Sequence, residues 1–184
     1  MIDAAENWWE RVLHFWFSEV GEQGWFVRNP ALDAEIGTRF AALHQHLSIG
    51  AIDHLDATPR VYLAAVIVLD QFSRNMFRDT ARAFAADPLA LSIAQRALQA
   101  GFDQQLDSRQ RLFMYLPYEH SEDLAMQLRS LQLFKDLADA SLIGYAQQHH
   151  DIIARFGRFP HRNAILGRAS TAEELEFLKQ HPGF

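Results

Sequence analysis

Apolar residues recur at helical spacing along almost the whole chain. Trp9, Val12, Leu13 and Trp16 share one face of a first segment, opened by a capping box at Asp3 and Glu6 and interrupted by Gly21 and Gly24. Asn29-Pro30 supplies a cap and a proline at the first helical position, and Leu32, Ile36, Phe40, Leu43 and Leu47 then mark an apolar stripe that stops near Gly50. Thr58-Pro59 opens the next segment in the same way. Its run Val61 to Leu69 is apolar on every side, which predicts burial all round. The β-branched residues of that run leave a buried strand open. The helical start signal, the two alanines and the lack of a partner strand favour helix.

Asp87-Pro88 opens a further segment that Gly101 closes. Ser108 to Tyr115 predicts a short helix ahead of Pro117, with Leu116 extended and Tyr118 to His120 in a turn. Ser121 caps the following helix, with Leu124, Leu128, Leu131 and Phe134 inward. Ala138 to Phe156 predicts another, with Ile143, Ala146, His150 and Ile153 at helical spacing and Gly157 at its end. Ser170 and Glu173 form a second capping box before a last short helix. The prediction is a single all-α domain over residues 1–184, with seven or eight helices. The caps at Asp87 and Ser121 lie 34 residues apart, the period of tetratricopeptide repeats, although that repeat's consensus residues are absent. Stacked antiparallel helical hairpins, a tetratricopeptide-like superhelix, are the expected architecture.

Composition narrows the function classes. A chain of 184 residues can bury a substantial core, and the absence of cysteine excludes disulfides, thiolate metal sites and cysteine nucleophiles. The longest apolar run is too short to cross a bilayer, and the N-terminus carries no signal-peptide pattern, so no membrane association and a cytoplasmic location are expected. A formal charge of −6 argues against nucleic acid as a partner. The cations are unusual, because only Lys135 and Lys179 are lysines and the rest are arginines. Arginine's planar fork suits carboxylates and phosphates, although pairing with surface acids is the commoner use.

Polar residues gather in three places. Asp70, Gln71, Ser73, Arg74 and Asn75 directly follow the fully apolar helix, where a buried carboxylate needs a partner such as Arg74. Tyr118, Glu119, His120 and Ser121 lie at a predicted helix start, which favours anions. Residues 155–168 hold four arginines (Arg155, Arg158, Arg162, Arg168) and His161 with no acid, against the sign of the whole chain. If the similar turns QFSRN and RFPHRN face one groove, Arg74, Arg158 and Arg162 would converge with His120 and His161 around one pocket.

At these residues the chain resembles a bacterial family, domain of unknown function 924. The matching stretches are VLHFWF, LDQFSRNMFRDT with AFAADPLAL, YLPYEHSEDL and HHDIIARFGRFPHRNAILGRASTAEELEFL. The resemblance spans almost the whole chain. It implies a helical fold similar to tetratricopeptide repeats, and no established activity. Where the family shows QFPRN this chain has Ser73, which is expected to loosen that turn. Carried over by motif, the candidate ligand-binding residues are Asp70, Gln71, Arg74, Asn75, His120, Ser121, His150, Arg158, His161, Arg162 and Asn163.

The first functional expectation is a binding domain for a small anionic molecule, a phosphate or carboxylate, clamped by arginines with His120 or His161 as acid or base. The alternative is a protein-interaction module that receives an acidic peptide or partner in a helical groove. A metal site from Asp70, Glu119, His120, His149, His150 and His161 ranks lowest, since His149 and His150 point to different helix faces and no metal-binding spacing occurs. No cofactor motif is present. Nothing in these patterns decides whether the chain is an enzyme, or its oligomeric state.

Overall fold

The structure is a computed structural model that describes residues 7–49, 57–181 and 183; the Asp3/Glu6 capping box and the stop at Gly50 lie outside them. Among the described residues every regular element is helical. They are α1 (Trp8–His14), α2 (Glu22–Trp25), α3 (Pro30–Ser48), α4 (Pro59–Val66), α5 (Ser73–Met76), α6 (Asp87–Gln99), α7 (Ser108–Glu119), α8 (Leu124–Asp136), α9 (Ala140–Phe156) and α10 (Ala172–Leu178). Wider turns of π-helix, at Phe15–Val20 and Ile67–Phe72, continue α1 and α4. The fold class is all-α. Internal contacts divide the chain into two compact units: the first is the chain to Arg78 with Arg82–Pro117, and the second is Asp79–Ala81 with Tyr118 onward.

The first unit is built around the segment that hydrophobicity singled out. Residues 61–73 are buried throughout as helix, not strand. A run apolar on every side is stable only where other elements cover all of its faces, and α3, α1 and α6 pack on it. Aromatic rings fill the remaining space. Trp16 meets Phe72 and Phe113 edge-on at 5.5 and 5.6 Å, and Trp25 meets Phe113 at 4.7 Å. Widening a helical turn displaces carbonyls from their usual partners. At Phe15–Val20 the Trp16 carbonyl is taken by the Gly21 amide and the Trp25 indole N–H, at 3.2 and 2.8 Å. Asn29 and Thr58 cap α3 and α4 as the sequence predicts.

In the second unit α8 and α9 form a hairpin, and Ile152, Ile153 and Phe159 are buried with Phe156 and Phe177 against them. Several local expectations are corrected here. α7 runs on to Glu119 with Pro117 inside it. A proline near a helix end forfeits one N–H, a smaller loss than mid-helix, and the flanking residues stay buried. The cap of α8 is Asp123, not Ser121, and its carboxylate accepts from the amides of Ala125 and Met126. The second capping box is Thr171 with Glu174, one residue later than expected. α8 buries Gln127, Ser130, Leu133 and Phe134, while Leu124 and Leu128 face solvent. α9 buries Ala146, His149, Ile152 and Ile153.

Candidate functional site

The motif at Asp70 is helix, not a turn, and Ser73 does not loosen it. The Ser73 hydroxyl donates to the Leu69 carbonyl at 2.6 Å, which leaves its oxygen to accept from His44 Nε2 at 2.7 Å. Burial, reinforced by Arg82, lowers the pKa of His44, consistent with a neutral ring bearing its proton on Nε2. Asp70 is buried, and Arg74 Nη1 lies 3.1 Å from its carboxylate and donates to its carbonyl at 2.8 Å. The two Nη atoms of Arg74 also form a bidentate pair with Asp87 at 2.9 and 3.0 Å. Gln71 donates to Asp70. Asn75 and Arg78 both donate to Asp33, whose pKa is lowered by those bonds against the upward push of burial. These four candidates, Asp70, Gln71, Arg74 and Asn75, thus sit in ion pairs and hydrogen bonds that tie α3, α5, α6 and the π-turn together in the first unit.

The remaining candidates belong to the second unit. The basic stretch there is largely neutralised by acids from elsewhere in the chain. Arg155 pairs with Glu173, Arg158 with Glu174 and Arg168 with Glu122. Glu174 is central: it accepts from Arg158 Nε and Nη2 at 2.6 and 2.8 Å, from the Thr171 amide at 2.7 Å and from Asn163 at 3.3 Å. Those bonds, with Arg158 first, hold its carboxyl down to about 2. Arg168 makes a bidentate pair with Glu122 and also reaches Asn163 and the Phe159 carbonyl, while Glu122 accepts from the Phe159 amide. Arg158 and Asn163 therefore fix the loop that follows α9. The Ser121 carbonyl accepts from Gln127 Nε2, and its hydroxyl accepts from the Asp123 amide. His150 forms a surface pair with Asp151 at 3.0 Å.

What this loop holds in place is a compact group of rings and charges. His149 stands 5.5 Å from Phe159 and 6.4 Å from His120, ring centre to ring centre, and Phe159 lies 5.6 Å from His161. The Arg162 guanidinium lies 4.6 Å over Phe159. Glu119, buried at the end of α7, has its carboxylate 3.6 Å from His149 Nδ1. His149 Nδ1 is also 2.9 Å from the Tyr145 carbonyl, which can only accept, so the ring proton is on Nδ1. Burial pushes His149 down to about 3, aided by the charges of His120, Arg162 and His161, with the Tyr145 bond opposing. Burial and Arg162 push His161 down to about 4, with Glu122 opposing. Both rings are neutral at physiological pH. They can hydrogen-bond, and they gain protons readily only if negative charge enters beside them.

The structure thus brings together His120, His161 and Arg162 from the motif-based candidates and adds two residues outside that set: Glu119, which the sequence places in the polar group before Ser121 and among possible metal ligands, and His149, which it places only among the latter. Among the described residues no group of three or more histidines and carboxylates has the arrangement of a metal site.

Comparison with known proteins agrees with the sequence motifs. The chain is similar to a protein of unknown function from Agrobacterium tumefaciens of known structure, at 38% identity, with a TM-score of 0.89 over 94% of this chain and 97% of that one. Among curated proteins none matches it. The family model described as bacterial protein of unknown function, DUF924, matches residues 12–182. With both the sequence profile and the fold in agreement over nearly its full length, the chain belongs to the DUF924 family.

Proposed function

We propose that the second unit binds a small anion, a carboxylate or a phosphate, at the cluster of His120, His149, His161 and Arg162. The observation that carries this reading is the grouping of the buried Arg162 guanidinium, 4.6 Å over the Phe159 ring, with three imidazoles packed on and around that ring, two of them only half-buried. A charge in that setting acts through a low effective dielectric, where its attraction for an anion exceeds that of an exposed arginine. His120 and His161 are only half-buried, which gives a ligand an approach. The reading with an acidic peptide on the basic loop has less support, because Arg155, Arg158 and Arg168 already carry carboxylate partners.

A thermal-shift panel of orthophosphate, phosphate esters, carboxylates and acidic peptides tests it on the wild type, Arg162→Gln and His161→Asn. A ligand at 100 times its dissociation constant adds about 2.7 kcal/mol, roughly 5–10 °C for a chain of this size. The expected result is a rise with a small anion that both variants lose. His161→Asn controls for structural damage at the more deeply buried Arg162. A panel in which no anion raises the melting temperature overturns the proposal.

A further inference from the structure

The turn that carries His161 and Arg162 is met from outside by the chain that follows it. α10 packs on the Pro160–Arg162 turn, and its Phe177 ring lies 5.1 Å from Phe156 at the end of α9. Past α10 the His181 amide donates to the Phe177 carbonyl at 3.0 Å, and the His181 imidazole stacks on the Phe177 ring at 4.7 Å. Gly183, two residues further on, lies against His161. A Cβ added to Gly183 would stand 3.5 Å from both Cβ and Cγ of His161 and 3.7 Å from Cδ2.

That is ordinary van der Waals contact for a methyl group, and anything larger would run into the imidazole. The backbone there also has φ 141°, which glycine adopts readily and other residues only under strain. On both counts the contact with His161 depends on glycine. His181 and Gly183 are themselves exposed, whereas His161 beneath is half-buried. An exposed segment that touches a ring through dispersion contacts separates from it at small cost, as mobile ends of a chain do. Burial leads the causes that hold His161 down at about 4, and this segment is the outer part of its cover.

Resting on the anion reading above, we propose that the segment after α10, at His181 and Gly183, is a strap over the anion site that an incoming anion displaces from His161. The chain then competes with its own ligand. Apparent affinity is reduced to the fraction of molecules whose strap is lifted, so the strap sets the ligand concentration at which the site fills.

The test compares the full chain with two variants, Gly183→Val and a deletion of the residues after Gln180, each checked for native helicity. The first readout needs no ligand. Modification of each histidine by diethylpyrocarbonate is followed by peptide mass mapping, with the exposed His14 and His46 as references in the same chain. His161 should be modified several-fold faster in both variants, with the references unchanged. The second readout is titration with orthophosphate, phosphate esters and acetate. At least one of these anions should bind both variants more tightly than the wild type. Unchanged modification of His161 in both variants overturns the strap and leaves the anion reading standing. Faster modification with equal or weaker anion binding also overturns it, because the segment then covers the ring without excluding a ligand. No binding of any of these anions to any of the three proteins overturns the anion reading, and the strap with it.

Discussion

At His149 burial and neighbouring positive charge act in the same direction, and the consequence is measurable. Its pKa is about 3 in the folded chain against the usual 6.5, and that of His161 is about 4. Between those values and 6.5 the unfolded chain binds more protons, so stability falls as pH drops below about 6.5 and keeps falling until the folded values are reached. Each unit of difference is worth about 1.4 kcal/mol. His149→Phe should flatten the decline of melting temperature between pH 6.5 and 4, and an unchanged slope would contradict the assignment. Arg74 offers a second residue-scale prediction. Its removal leaves the buried Asp70 carboxylate without its guanidinium, so Arg74→Met should cost about 3–5 kcal/mol in urea unfolding. The same change at Arg155, in an exposed pair with Glu173, should cost far less. At this scale the sequence was least legible. The stripe through Ile143, Ala146, His150 and Ile153 and the one through Ala146, His149, Ile152 and Ile153 fit helical spacing about equally well, and only the packed structure chooses His149. On α8, Leu128 looks like core and Gln127 like surface. The structure reverses them because the Gln127 amide is held by two carbonyls at the end of α7 and in the loop beyond it.

The helices obey capping rules closely enough that single substitutions at their ends have opposite expected signs. Asp123 caps α8 and Ser121 does not, so Asp123→Ala should cost about 1 kcal/mol and Ser121→Ala much less. Ala138, between α8 and α9, has φ 56°, a left-handed conformation that favours glycine, so Ala138→Gly should stabilise by about 0.5–1 kcal/mol. Gly157 ends α9 at φ 69° in open space, and Gly157→Ala should destabilise by a similar amount through backbone strain alone. Chemical denaturation of the four variants checks all of these. Element identity was readable in advance wherever a cap met a long apolar period, as at Asn29 and Thr58. It failed where two caps compete within a few residues, Ser121 with Asp123 and Ser170 with Thr171, since either hydroxyl or carboxylate satisfies the pattern. Pro117 misled for a related reason: a proline marks a probable helix boundary, and here the last turn continues past it.

Across the whole chain, charge that is concentrated in sequence is dispersed in space. The stretch from Arg155 to Arg168 contains no acid, yet Glu122, Glu173 and Glu174 reach it from before and after, leaving the loop an ion-paired scaffold. Linear charge patterns show where cations lie but not which carboxylates meet them, so the stretch drew attention to the right segment while overstating its free positive charge. The all-helical class was legible from periodicity because nearly every segment repeats with the helical period. The histidine cluster was legible only in part: the motifs group His120, His161 and Arg162, whereas His149 and Glu119 join them only through the fold.

The central claim is that an anion enters this cluster, and imidazole nitrogen NMR tests it most directly. Spectra of the uniformly labelled chain would be compared without and with orthophosphate, phosphate esters and acetate. The account predicts that at least one of these anion-bearing probes moves the ring signals of His120, His149 and His161 together, raising the protonated fraction of the buried rings, while His14 and His46, on α1 and α3, stay in place. Signals of the cluster that remain fixed while exposed histidines shift, or that never respond to any of these probes, would contradict it.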